Sequence, residues 1–156
     1  MSLGRFQNCN QSGMNDFRRH AVEDVPKTVG DHIRKRRLGL KVYQKDVAAQ
    51  IGVDETSIHN WETNVSQPSL EYMPAIIDFV GYNPLPAAKT WAERLVRHRV
   101  SLGITQAEAA RRLVVDQATL AKWERGEREP AGAFLARVDH FLVQSEASRV
   151  DARRAG

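Results

Sequence analysis

Thr56, Asn60 and Thr63 follow one another at steps of four and three, and each carries a hydrogen-bonding side chain. On a helix they share one face, roughly opposite Ile58 and Trp61, with His59 at its edge. Aimed into the major groove of duplex DNA, such side chains would read the edges of base pairs. At a distance of 62 residues, Ala118, Lys122 and Arg125 take the same places, with Ala121 at the edge. That set offers a methyl group for thymine and two cations for guanine or phosphate. A solvated surface helix carries similar residues, so what positions this face matters more than its composition.

Other chemistries lack their residues. His20, His32, His59, His98 and His140 show no metal-binding spacing of the HExxH kind. Cys9 is the only cysteine, which excludes an intramolecular disulfide and a cysteine-based zinc site. No carboxylate set and no glycine loop stands out to carry a reaction. The expectation is therefore no catalytic residue, no metal, no cofactor and no enzyme.

The positioning elements come in duplicate. A shift of 62 residues aligns Thr28 to Pro68 with Thr90 to Pro130 without a gap, and ten of the 41 positions are identical. These include Arg37/Arg99, Gln44/Gln106, Asp54/Asp116, Trp61/Trp123 and Glu62/Glu124. Each copy reads as four short helices. The first spans about 28–38 and 90–100, with Val29, Ile33 and Leu40, or Trp91, Leu95 and Leu102, on its apolar stripe. A break follows at Gly39 to Tyr43 and at Gly103 to Thr105. The second helix spans 44–51 and 106–113. Asp54 and Asp116 stand where an N-cap belongs, and open third helices over 55–63 and 117–125. Gly126 ends the third helix of copy two as a C-cap glycine would, and Asn64 takes that place in copy one. The fourth helix spans 70–80 and 132–143; Pro74 requires the former to start near Met73 or to bend. Gly81 to Pro86 forms the linker.

The expected fold is thus all-α: domains at 28–83 and 84–143, with disordered tails at 1–27 and 144–156. The short second-to-third connections, Ile51 to Asp54 and Leu113 to Asp116, define a helix-turn-helix whose second member projects outward. The formal charge of +4 is uneven. Residues 28–80 carry six Lys/Arg against seven Asp/Glu, and residues 81–143 carry ten against seven. A basic second half suits an anionic partner.

The string Leu40-x3-Gln44-x3-Ala48-x2-Ile51-x-Val53-Asp54-x2-Ser57-Ile58-x2-Trp61-Glu62 resembles the Cro/phage-repressor helix-turn-helix family, also called the xenobiotic response element (XRE) family. Copy two matches from Leu102 through Gln106, Ala110, Leu113, Val115, Asp116, Thr119, Leu120, Trp123 and Glu124 to Gly126. The resemblance implies two tandem lambda-repressor-like domains that bind double-stranded DNA. It implies that Gln44 and Gln106 hold phosphates, that Glu55, Thr56 and Asn60, and Gln117, Ala118 and Lys122, read bases, and that Ser57 and Thr119 contact phosphate. Arg125 completes the basic face of copy two.

Copy one departs from the pattern. Tyr43 replaces the Ser or Thr expected before the glutamine, and Glu55 places an anion where DNA approaches. Copy two is therefore expected to supply more of the affinity.

Arg37 lies on the apolar stripe of the first helix, four residues after Ile33 and three before Leu40, and Arg99 repeats it. A cation on such a stripe needs an anion. The matching anions are Glu62 and Glu124, directly after the buried tryptophans, and the resemblance implies the same arginine–glutamate pairs.

The function expected from all this is that of a transcriptional regulator, a repressor above all, in the cytoplasm on the nucleoid. The alternative is a protein-interaction module or antiactivator in which one copy binds another regulator. A homodimer is a further expected association. No apolar run is long enough to span a membrane.

Overall fold

The computed structural model describes residues 25–154, with side chains through Gln144. Most of the expected N-terminal tail, with Cys9, lies outside the described residues. Copy one consists of α1 (Val29–Leu40), α2 (Gln44–Ile51), α3 (Glu55–Glu62), a 3-10 turn over Leu70–Tyr72, and α4 (Met73–Val80). Copy two consists of α5 (Trp91–Ser101), α6 (Gln106–Leu113), α7 (Gln117–Glu124) and α8 (Ala133–Arg154). The described residues hold no strand, so the fold is all-α.

Local chemistry sets most boundaries. Thr28 and Thr90 open α1 and α5 with capping boxes closed by Asp31 and Glu93. Asp54 and Asp116 cap α3 and α7 by accepting from the backbone N–H of Ser57 and Thr119, each at 2.9 Å. Tyr43 gives α2 no side-chain cap. Asp46 compensates by taking the Tyr43 N–H at 2.9 Å. Asn64 and Gly126 sit in the left-handed region just past α3 and α7, at φ 59° and 71°. Pro74 lies in the first turn of α4, where its missing N–H leaves no hydrogen bond unmade.

Three features differ from the sequence reading. First, α1 continues through Gly39, and the left-handed residue that ends it is Lys41 at φ 58°. Second, Leu40 is 46% exposed; the core of copy one closes at Arg37, and Leu40 lies beyond it. Third, the backbone stays helical to Arg154, where an irregular tail was expected from residue 144. That segment is built of strong helix formers such as Gln, Glu, Ala and Arg, so it extends a helix without needing an apolar stripe.

Each copy encloses its own core. In copy one, Ile33, Val47, Ile51, Ile58, Trp61, Ile76 and Phe79 are buried together. In copy two, Leu95, Ala110, Leu113, Leu120, Trp123 and Val138 are. The cores are not fully separate: Leu85 of the linker and Val100 of α5 pack against the first one. Leu85 falls just past the boundary read between residues 83 and 84.

Candidate nucleic-acid interface

Burial of the tryptophans orients the third helices. Trp61 and Ile58 face the first core, and Trp123 and Leu120 the second. A helix anchored along one stripe must present the opposite one outward. Glu55 and Thr56 of α3 are exposed there, and Asn60 is half-buried. Gln117, Ala118 and Lys122 of α7 and Arg125, which caps it, are exposed.

Behind each outward face lies a polar clamp. Arg37 Nε donates to Glu62 Oε1 at 2.7 Å and Arg37 Nη2 to Glu62 Oε2 at 2.8 Å. Arg37 Nη1 also donates to the Val42 carbonyl at 3.3 Å. In copy two, Arg99 makes the same fork to Glu124, at 2.7 and 3.2 Å, and reaches the Ile104 carbonyl at 3.2 Å. The Glu62 side chain retains only 2% of its surface and Glu124 7%. Two parallel charge-assisted bonds fix direction as well as distance. The hydrogen bonds to Glu62 raise the Arg37 pKa further, against a smaller opposing effect of burial.

The glutamines that open α2 and α6 join this clamp. Gln44 Nε2 donates to Glu62 Oε2 and Gln106 Nε2 to Glu124 Oε2, both at 2.9 Å. Each carboxylate thus ties three helices together: the first through arginine, the second through glutamine, and the third on which it sits. The amide of each glutamine keeps its second hydrogen for another acceptor. In copy two the chain of contacts extends to the outward face, where Gln117 Nε2 donates to Gln106 Oε1 at 3.4 Å. Glu55 replaces Gln117 in copy one, so the same donor is missing there. The family resemblance implies only a phosphate contact for these glutamines. Arg37, Gln44 and Glu62 all fall among the identical positions of the repeat, which marks the three without pairing the glutamine with the glutamate.

Ser57 and Thr119 are drawn into the caps. Besides their N–H groups, their hydroxyls donate to Asp54 and Asp116. A phosphate contact through these hydroxyls would require them to turn away from the cap. The Ser57 hydroxyl, followed by the Ser57 N–H, holds the Asp54 carboxyl below its usual range, and Thr119 does the same for Asp116. Thr63, read as part of the outward face, turns its hydroxyl back to the His59 carbonyl at 2.7 Å. Arg125 is engaged by Glu127, a residue the sequence reading overlooked, at 2.6 and 3.0 Å. Both are about half exposed, so the pair is open to exchange with an external anion.

The surroundings of the two faces differ. Tyr43, which precedes α2, and Val65, which follows α3, are 71% and 74% exposed. Their repeat partners, Thr105 and Glu127, are polar. Val114, at the turn of copy two, is 70% exposed.

Two outward helices, each braced by a buried clamp behind a tight turn, define a helix-turn-helix protein. The family model described as helix-turn-helix, of the Cro/C1 type, matches residues 33–85 and again 95–142, and the chain belongs to that family in two tandem copies. It is on that basis a DNA-binding transcription regulator of the XRE type. No curated protein and no solved structure matches the chain. No helix among the described residues is long and apolar enough to cross a membrane.

Proposed function

We propose that the chain is a repressor that binds operator DNA through both copies and acts by occupancy, without catalysis. The observation that carries this reading is the repetition of the clamp behind two outward helices whose readers differ. Glu55, Thr56 and Asn60 would read one half-site, and Gln117, Ala118 and Lys122 the other. Gln44 and Gln106 would hold phosphate with their remaining amide hydrogen. Ser57 and Thr119 act mainly as cap residues. Lys122 and Arg125 give copy two the larger electrostatic share, with phosphate displacing Glu127 from Arg125. Unlike half-sites follow from unlike readers, whereas a homodimer using one copy per chain would select a palindrome.

Copy one supports a second reading. It exposes Tyr43 and Val65 where copy two has Thr105 and Glu127, and carries Glu55 where copy two has Gln117, which suits another regulator better than phosphate. Selection of bound duplexes from a random pool separates the two readings. Two conserved, unlike half-sites support the first; a single short half-site that depends only on copy two supports the second. Affinity for the selected duplex should fall by roughly 0.9 log units per log unit of salt for each phosphate neutralised. Salt-insensitive binding would contradict both.

A further inference from the structure

Gly103 ends α5 in the left-handed region at φ 68°, which ordinarily suffices to explain a glycine. Here it does not. The equivalent residue of copy one is Lys41, which ends α1 at φ 58° with a full side chain. What differs is space. A Cβ on Gly103 would stand 2.9 Å from Pro74 Cδ, 3.0 Å from Pro74 Cγ and 3.1 Å from the Leu70 carbonyl oxygen, all in copy one. Gly126 provides a contrast within the same chain: it is left-handed at φ 71°, yet a Cβ there would meet nothing nearer than 3.9 Å. Gly103 is required by the approach of copy one as well as by its own turn.

The rest of the same helix end agrees. Val100 packs into the core of copy one, and Ser101 is 4% exposed. Their equivalents, Leu38 and Gly39, are exposed. Leu85 adds the linker to the same contact. Two domains joined only by a flexible tether would leave this face of α5 as open as that of α1.

We propose that the seam between the end of α5 and the start of α4, with Gly103 at its closest point, is a positioning device for DNA recognition. It holds α7 at one offset from α3, so the chain selects the spacing between half-sites as well as their sequence. Gly103, Val100 and Pro74 are then specificity-determining residues that never touch DNA. This rests on the reading that both copies contact DNA.

The test uses the full chain, its G103N and V100S variants, and G126N as control, since asparagine tolerates the left-handed region. One measurement needs no DNA. Backbone amide relaxation should give the two copies of the wild type and of G126N a single rotational correlation time, and G103N two shorter ones. A second measurement titrates the selected duplex with one, two or five base pairs inserted between the half-sites. Each added pair turns the second half-site by about a tenth of a helical turn and moves it about 3.4 Å. Wild-type affinity should drop by roughly tenfold or more at five, as the second site is lost and with it the gain of linked binding. G103N and V100S should bind the native spacing more weakly and respond less to insertion. V100S removes only an apolar contact and serves if G103N does not fold. Wild-type binding that needs both half-sites but ignores their spacing, or two correlation times in the wild type, overturns the seam alone. Binding unaffected by scrambling either half-site, in a chain that tumbles as one body, overturns the spacing role through failure of the two-copy reading.

Discussion

Glu62 and Arg37 meet through two nearly parallel hydrogen bonds, at 2.7 and 2.8 Å, and the carboxylate is almost wholly withdrawn from water. The pair joins residues 25 positions apart and closes the core between the first helix and the recognition helix. Gln44 completes the shell around the same carboxylate, so its removal would leave a cation and an amide facing an apolar interior.

Glu62→Ala should therefore destabilise copy one by roughly 3–5 kcal/mol, the usual cost of breaking a buried pair. Arg37 keeps 15% of its side-chain surface, so partial escape to water favours the lower end. Glu124→Ala should cost less, because Glu124 is more exposed. Urea unfolding of the full-length variants measures both. A loss below about 1 kcal/mol, typical of an exposed pair, would contradict the clamp.

Gly30 marks the tightest crossing of α1 over the end of α3. A Cβ there would come within 1.8 Å of the Trp61 carbonyl oxygen, and a backbone atom cannot yield as a side chain can. Gly30→Ala should cost about 3 kcal/mol, at or above the upper end of overpacking penalties, although alanine is the better helix former. Copy two carries Ala92 at the equivalent position. Ala92→Gly should cost only about 0.5–1 kcal/mol, the helix-propensity difference. Thermal unfolding of the two variants would show whether the order holds; equal effects would not fit the crossing.

Stability should fall on the acid side. Asp54 and Asp116 are held below the ordinary carboxyl range by the hydroxyl and N–H they accept from. A depressed native pKa gives stability that is complete above the unfolded value, near 3.9, and lost as pH falls through the native value. Asp54→Asn with Asp116→Asn retains a capping acceptor and removes the titration. Denaturation midpoints from pH 7 down to pH 2 should show little change at neutrality and a shallower acid limb. Glu93, held down by the Lys89 and Thr90 N–H groups, supplies part of the remaining slope.

On DNA, Lys122→Ala should weaken binding more than Asn60→Ala. Lys122 stands exposed on the more basic copy, while Asn60 is half-buried on the copy that carries Glu55. A loss of about 1–3 kcal/mol confined to certain bases would mark Lys122 as a reader; a uniform loss with a salt slope lower by about one would mark it as a phosphate contact. Parallel titrations of the two variants against one selected duplex decide the order, and the reverse order would remove the larger share given to copy two.

Much of this molecule was legible in order of residues alone because its decisive signals are short-ranged or repeated. Caps at Asp54 and Asp116 act within three residues. The left-handed ends at Asn64 and Gly126 follow from the turn that stops each helix. The repeat placed Arg37 opposite Glu62 because a cation on an apolar stripe has few other anions in reach. What chain order left undecided depends on how helices cross. Glycine at 30 and at 103 is explained by the approach of Trp61 and of Pro74, one 31 and the other 29 residues away in sequence. Gln44 and Gln106 turn to a carboxylate 18 positions on, which no local pattern encodes. The seam, too, is a tertiary fact: equivalent helix ends, α1 and α5, differ in burial because copy one packs against the second. Periodicity and capping determined which segments are helices and which face of each is apolar, since those depend on neighbours within a turn or two. Close approach between distant backbones determined where a side chain is forbidden and how the two recognition helices are held, since that depends on where the packed cores leave room.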